Sequence, residues 1–472
     1  MSIHGTTRRV FLKKAALGFG LPACAYAAIP SKATGAPVAE ATEKKAQAKE
    51  GVAVCNPLLR TPLSLIIDDS CPVINMAYFW IDARHAWRLK HSPDSKPSGW
   101  ERHYDKLGLM PRAIPAAFAA EWGNWCGEQG IRGKFSMVPF PAGVGRIDQG
   151  FPDFPAGELA EWLRVTREII WKNFDLTPEM LTHTHVVDLK TWKLTDAWEQ
   201  GEWVDPPVEL LTDYIAAAMQ LLKNAGFACE GVTSPGVFGK RKEDAYAKAV
   251  LDAAQRVNDN RRPFYFLHLI TEGMPSVPLR HVEKDKGVAI ASIVACAGDW
   301  FGATGWDESN PDLFITEDLK KGRVAAVLER ELPCALVGHW PCFYANGQIG
   351  FKVLKEVKKR LDAYDPDRTK TIWMKNSEIG RYWMARELSD LSVQRNGTLP
   401  QCRLDIATQF PAANFTVSLN LAAKRVQVAK RDLRPVQSRR DFRSGTFLVE
   451  GNKTFAAFDL SAGKTVVQAA CA

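Results

Sequence analysis

The chain has 472 residues, 46% of them hydrophobic and 24% charged, with 15 Trp and a formal net charge of +8. That is an ordinary globular composition in a chain too long for one compact domain, so a large domain with a smaller companion is expected. No later stretch offers the ~20 apolar residues a membrane span needs, and no nucleic-acid-binding motif is present, so neither a transmembrane segment nor a nucleic-acid partner is expected. Part of the positive charge lies in the run Lys424 to Arg443. This run reads as solvated surface, with an acidic polymer partner as the alternative.

The chain opens with Thr7-Arg8-Arg9-Val10-Phe11-Leu12-Lys13-Lys14, then a moderately apolar stretch ending in Ala25-Tyr26-Ala27. This is the pattern of a twin-arginine export signal over residues 1–27, which implies the twin-arginine translocation machinery as a partner and a periplasmic or secreted location. Leu21-Pro22-Ala23-Cys24 has the outline of a lipoprotein box, in which Pro22 is out of place. A soluble exported chain is therefore expected, with a lipid anchor at Cys24 as the alternative. Residues 28–54, rich in Ala, Lys, Glu and Pro, read as a flexible spacer. The ten cysteines lack zinc-finger spacing; free buried thiols are the expectation, and a Cys334–Cys342 disulfide is the alternative.

From residue 55 to 388 short apolar runs alternate with amphipathic stretches, the signature of βα units. Strands are expected at 63–67, 133–138, 179–187, 229–233, 264–269, 288–296, 334–337 and 371–374. Helices are expected at 114–128, 158–173, 208–224, 243–256, 317–330, 349–361 and 377–387. Within 208–224, Leu210, Leu211, Ile215, Met219 and Leu222 recur at helical spacing and are expected to face the sheet. Seven or eight such units point to an α/β fold built as a (β/α)7-8 barrel, and no Gly-x-Gly-x-x-Gly follows the first strand to suggest dinucleotide binding. Residues 389–472 alternate polar and apolar with Gly-Asn and Ala-Gly turns, so a small antiparallel β domain is expected there.

In parallel barrels, reactive groups gather where strands run out into loops. Strand one ends in Asp68-Asp69, a pair that would also serve as a turn or helix cap. In Thr182-His183-Thr184-His185, two imidazoles at i and i+2 share one strand face, a spacing suited to a divalent metal. Asp299-Trp300 follows another strand, and His339-Trp340 closes the next to last one. Asp68, Asp299 and His339 supply carboxylates and an imidazole for acid–base work on a hydrolysed bond. Trp340, Tyr344 and Trp300 could stack on sugar rings or pack the barrel top. Glu378, in the first turn of a helix, reads as a cap.

Taken in order, Asp68-Asp69, His183-Thr184, Asp299-Trp300 and His339 resemble the motifs of the polysaccharide deacetylase family over about residues 63 to 383. The family belongs to a (β/α)-barrel superfamily that also includes glycoside hydrolases. The resemblance implies Asp68 as general base, Asp69 and His183 as ligands of a divalent metal, usually zinc, His339 as general acid, and Asp299 as the carboxylate that orients that acid. Two departures stand out. The family's second metal histidine lies four residues after the first, where this chain has Val187, leaving His185 as the substitute. The family's arginine that holds the base is missing from Thr233-Ser234-Pro235-Gly236.

An exported metal-dependent hydrolase removing acetyl groups from a carbohydrate or polysaccharide is the leading expectation. A glycoside hydrolase of the same superfamily and a catalytically silent carbohydrate-binding protein are the alternatives.

Overall fold

The computed structural model describes residues 51–73, 112–199, 206–236, 238–270, 275–296, 310–396 and 401–471, with 89, 93–94 and 301. Residues 1–27, where an export signal is expected, most of the expected spacer, Asp299 and Trp300 lie outside them. In chain order the first part contains β1 (Val52–Val54), β2 (Thr61–Ser70), a helix Ala116–Glu128, β3 (Gly133–Met137), a helix Ala156–Val165 and β4 (Phe174–Pro178). There follow β5 (His185–Asp188), β6 (Lys193–Trp198), a helix Val208–Asn224, β7 (Gly231–Thr233), a helix Glu243–Asn258, β8 (Phe264–Ile270), β9 (Leu279–Glu283) and β10 (Val288–Ala295). A helix Arg323–Leu328, β11 (Cys334–His339), a helix Trp340–Tyr364, β12 (Thr371–Trp373) and a helix Asn376–Leu388 complete it.

Two sheets carry the parallel strands. One runs β11-β2-β3-β4, with β12 pairing to the start of β2; the other runs β7-β8-β10, with β9 added antiparallel. Every residue of β2 is buried, as a parallel strand covered on both faces requires. Its alternate residues divide between two cores: Leu63, Leu65 and Ile67 pack with helix residues such as Trp122 and Trp162, while Ile66 packs with Phe266, Ile293 and Val337. The two sheets are bonded at both ends. A parallel bridge joins Glu179 to Thr233, Met180 N donates to Thr233 O (3.2 Å), and Cys296 N donates to Ala335 O (2.9 Å).

Several expected boundaries move. The strand expected at 179–187 is instead β4, followed by bends and then β5. Phe174 and Leu176 alternate into the helix-side core, and Pro178, with no N–H to give, closes the run. The helix expected at 317–330 shortens to Arg323–Leu328, because Thr316 ties a turn by bonding Asp318 and Lys321 and Gly322 follows at φ +100°. The helix expected at 349–361 starts nine residues earlier, at Trp340, with Pro341 in its first turn, where a missing N–H costs nothing. Leu210 is exposed at 46%, so the apolar stripe of Val208–Asn224 runs through Leu211, Ile215, Met219 and Leu222 without it. Cys334 Sγ faces Cys296 Sγ at 3.2 Å across neighbouring strands, not Cys342, and no disulfide is formed among the described residues.

The C-terminal strands are β13 (Asp390–Asn396), β14 (Gln401–Thr408), β15 (Ala412–Leu419), β16 (Arg425–Val428), β17 (Arg431–Asp432), β18 (Arg434–Val436), β19 (Thr446–Glu450), β20 (Lys453–Leu460) and β21 (Gly463–Ala470). They form two sheets, β1-β15-β20-β19-β18 and β13-β14-β21-β16-β17, antiparallel except for β18 beside β19. Residues 52–54, expected within the spacer, are the edge strand of the first sheet because Val52 and Val54 alternate into its core. The helix Asn376–Leu388 lies between this region and the parallel sheets, with Tyr382 Oη donating to Cys55 O (2.7 Å). As expected of a first-turn cap, Glu378 Oε2 accepts from Lys375 N (3.1 Å). Among the described residues no helix is long and apolar enough to cross a membrane.

Gly133 is where β3 meets β2 most closely: a Cβ there would lie 1.8 Å from Leu65 O. Since backbone cannot step aside as a side chain can, Gly133→Ala should cost at least about 3 kcal/mol, the upper end of ordinary overpacking, read from denaturant unfolding.

Asp175 of β4 accepts from Ser377 N (2.7 Å) and Ser377 Oγ (2.8 Å), and burial lifts its carboxyl from the ordinary 3.8 to about 7. Between those values the folded state holds the proton more tightly than the unfolded chain, so its contribution to stability declines as pH rises from about 4 to about 7. Asp175→Asn should flatten the stability–pH curve across that window, measured by urea titrations at pH 4 to 8.

Candidate metal centre

The site begins with a break in the pairing of β2. Its register with β3 holds to Ile67↔Phe135 and resumes at Ser70↔Met137, so two residues on β2, Asp68 and Asp69, oppose one on β3. That is a β-bulge, and Asp69 takes the left-handed backbone (φ 60°) that an aspartate tolerates better than most residues. On its other side β2 still pairs His339 of β11 with Asp68. The bulge thereby buries two consecutive carboxylates beside a strand-end histidine.

Around Asp69 stand His183, Glu179 and His339. His183 Nε2 lies 2.9 Å from Asp69 Oδ1 and 3.3 Å from Glu179 Oε1, and His339 Nε2 lies 3.9 Å from Asp69 Oδ2. Asp69, Glu179 and His183 are all at least 97% buried, and their donor atoms fall within 4.8 Å of one another. Glu179 is anchored by its far oxygen: Oε2 accepts from Asp69 N (2.7 Å) and Ser136 Oγ (2.6 Å). Neither carboxylate oxygen of Asp69 has a well-aligned hydrogen-bond donor. A buried carboxylate without a donor is costly unless something else meets its charge. Burial works against ionising Asp69, but His183 and His339 outweigh it and hold the carboxyl below its usual range. Burial likewise opposes charge on His183, yet Asp69 and Glu179 raise its pKa well above the ordinary value. A divalent cation suits this donor set of two oxygens and one imidazole nitrogen.

The loop that presents His183 is held by Glu199, a buried carboxylate beyond β6. Its oxygens accept from Leu181 N (3.3 Å), Thr182 N (2.9 Å), His183 N (2.7 Å) and Tyr214 Oη (2.5 Å). Burial raises its pKa to about 7 despite those donors. With Met180 and His183 both at positive φ, the chain between β4 and β5 is strained, and Glu199 ties it down.

Asp68 is held by Lys134, a fully buried lysine of β3, which ion-pairs with its Oδ1 and also donates to Thr233 Oγ1 (2.7 Å). Lys134 and Ser136 share one face of β3 by strand alternation, so one strand supplies the cation for Asp68 and the anchor for Glu179. Thr233, which opens the arginine-free segment Thr233-Ser234-Pro235-Gly236, is thus the second partner of Lys134.

Other sequence expectations change. His185 is on β5 and stacks on Trp198 (ring centroids 4.1 Å apart); it is not in the donor cluster, whose third member is Glu179. The loss of the expected strand is the reason, since His183 and His185 do not share a strand face once β5 begins at His185. Trp340 is fully buried among Phe118, Trp122 and Phe135 and is core, not a sugar platform. Tyr344 is half-buried against Phe118 at 5.0 Å. Asp299 and Trp300 lie outside the described residues. Glu179 carried a signal that went unread, an acidic residue directly after a proline-terminated apolar strand. A cavity of 510 Å³ lined by Arg60, Pro366, Asp367, Arg368 and Arg440 sits at the opposite end of β2 and shares none of these residues.

No protein-family model and no curated protein matches the chain. Among solved structures the chain is similar to the crystal structure of a candidate polysaccharide deacetylase from Mycobacterium smegmatis, at 11% identity and a TM-score of 0.38, covering 72% of this chain and 96% of that one.

Removing one partner of a buried ion pair strands the other. Lys134→Met should cost about 3 to 5 kcal/mol, and the double variant Lys134→Met/Asp68→Asn should lose less than the sum of its singles, measured as a double-mutant cycle by denaturant unfolding.

Proposed function

We propose that the chain is an exported, metal-dependent hydrolase that removes acetyl groups from a carbohydrate, with its two parallel sheets closing into one barrel of seven strands. The observation that carries the reading is Asp69, a buried carboxylate with no aligned donor, set among Glu179, His183 and His339 where β2, β4 and β11 end. The motif order from Asp68 to His339 supports the acetyl-carbohydrate substrate, and Arg8-Arg9 before an apolar segment supports export.

Asp69, His183 and Glu179 would hold the cation, which when bound polarises the acetyl carbonyl and makes water more acidic. Asp68, fixed by Lys134 and paired in register with His339, accepts the proton of the attacking water. His339, with its side chain 19% exposed at the mouth of the site, delivers a proton to the departing sugar oxygen or nitrogen. Acetate leaves, and the sugar keeps its free hydroxyl or amine. The burial of Asp69, Glu179 and His183 keeps water from competing for them.

Acetylated oligosaccharides incubated with the purified protein should release acetate, and reducing ends should not increase. Asp69→Ala and chelation should each lower the rate by at least about a hundredfold, about 2.7 kcal/mol of transition-state stabilisation. Adding back a divalent cation should restore the chelated wild type alone. Full activity in protein shown by elemental analysis to be metal-free would refute the reading.

A further inference from the structure

We propose that Glu179 is the third metal ligand, and that this second carboxylate shifts the site toward hard, oxygen-preferring divalent cations such as Mn2+ and away from the zinc preference of a histidine-rich set. This rests on the metal-dependent reading of the site.

The geometry of Glu179 is that of a ligand held ready. Its Oε2 is fixed by two donors, Asp69 N at 2.7 Å and Ser136 Oγ at 2.6 Å, leaving Oε1 turned to His183 Nε2 at 3.3 Å. Such anchoring of the non-ligating oxygen is how outer partners orient a carboxylate ligand. The second, independent observation is Asp69: its two oxygens are buried and lack an aligned donor, and its donor atom lies within 4.8 Å of those of Glu179 and His183. His185 could have supplied a second nitrogen but is stacked on Trp198 of the β5–β6 pair. His339 Nε2 stands 3.9 Å from Asp69 Oδ2 and falls outside the donor cluster.

Donor chemistry then sets the preference. Carboxylate oxygens suit Mg2+, Ca2+ and Mn2+, whereas imidazole favours Zn2+ and its neighbours. Zinc is still bound more tightly than manganese by most such donor sets, so the prediction concerns the ratio of the two affinities.

The test uses the full chain, stripped with chelator and titrated separately with Mn2+ and Zn2+ by calorimetry. Glu179→Gln should weaken both ions by more than about 100-fold, beyond the 10- to 100-fold seen when only an outer partner of a ligand is lost. Glu179→His should raise the Zn2+ to Mn2+ affinity ratio by about tenfold or more, because imidazole replaces carboxylate. Unchanged binding by Glu179→Gln, or an unchanged ratio in Glu179→His, overturns the proposal. If chelation still stops acetate release in the first case, the hydrolase reading stands while this one falls. If the wild type binds neither ion, both fall. Should the variants fail to fold, electron spin-echo spectra of Mn2+ on 15N-labelled wild type decide: one directly bound nitrogen supports Glu179 as ligand, and two overturn it.

Discussion

The end of β2 has to keep several carboxylates charged or satisfied where water does not reach, and much of the surrounding structure answers that demand. Asp68, Asp69, Glu179 and Glu199 are all buried within a few residues of strand ends. Each isolated charge would cost several kcal/mol to bury, so each must be met locally. Asp68 is met by Lys134, and Glu199 by three backbone N–H groups and a phenol, with burial raising its pKa to about 7. Asp69 and Glu179 are left sharing one imidazole within hydrogen-bonding range. With His183 and His339 neutral the two carboxylates leave a deficit, and Asp69 keeps two oxygens without aligned donors. A divalent cation beside neutral imidazoles would balance that count.

The backbone makes this concentration of charge possible. A strand in regular register would send Asp68 and Asp69 to opposite faces, and both would not be buried at one site. The bulge between Ile67 and Ser70, with Asp69 in the left-handed region, breaks that alternation at one point without ending the strand. Opposite it, β4 stops at Pro178, and the chain through Met180 and His183 takes two further left-handed conformations before β5. The segments that carry the donors thus hold three left-handed residues, Asp69, Met180 and His183, the kind of strain that functional sites commonly store. The anchors of these segments, Ser136 and Glu199, come from regular or well-bonded neighbours, so rigidity is supplied from outside the irregular chain.

Much of the scaffold was legible because it rests on periodicity. The helix at 208–224 and the strands Phe264–Ile270, Val288–Ala295, Cys334–His339 and Thr371–Trp373 follow runs of apolar spacing, whereas the half-exposed β9 (Leu279–Glu283) has no such run and was not expected. Asp69, His183 and His339 were legible as polar residues ending apolar runs, and the structure brings these three together. His185 misled because i, i+2 spacing implies a shared face only if both residues lie on one strand, and Pro178 had ended that strand earlier. Lys134 and Glu179 were missed for a different reason. Each becomes meaningful through a partner distant in sequence, 66 residues away for Lys134 and Asp68 and 110 for Glu179 and Asp69 N. A buried lysine in Gly-Lys-Phe-Ser-Met looks like an ordinary polar position until the neighbouring strand is in place.

The buried charge at this centre ties stability to ligand. A cation bound by Asp69, His183 and Glu179 would meet charges that the protein alone leaves unbalanced, so its binding energy would also be folding energy for the strained chain between β4 and β5. Lys134 and Glu199 differ from this set. Their partners are provided within the chain, so the positions of Asp68 and of the His183 backbone are fixed whether or not a cation is present. The site therefore separates into a preformed frame and a charge-deficient centre. The frame fixes Asp68 and the His183 backbone, and a cation would complete the centre.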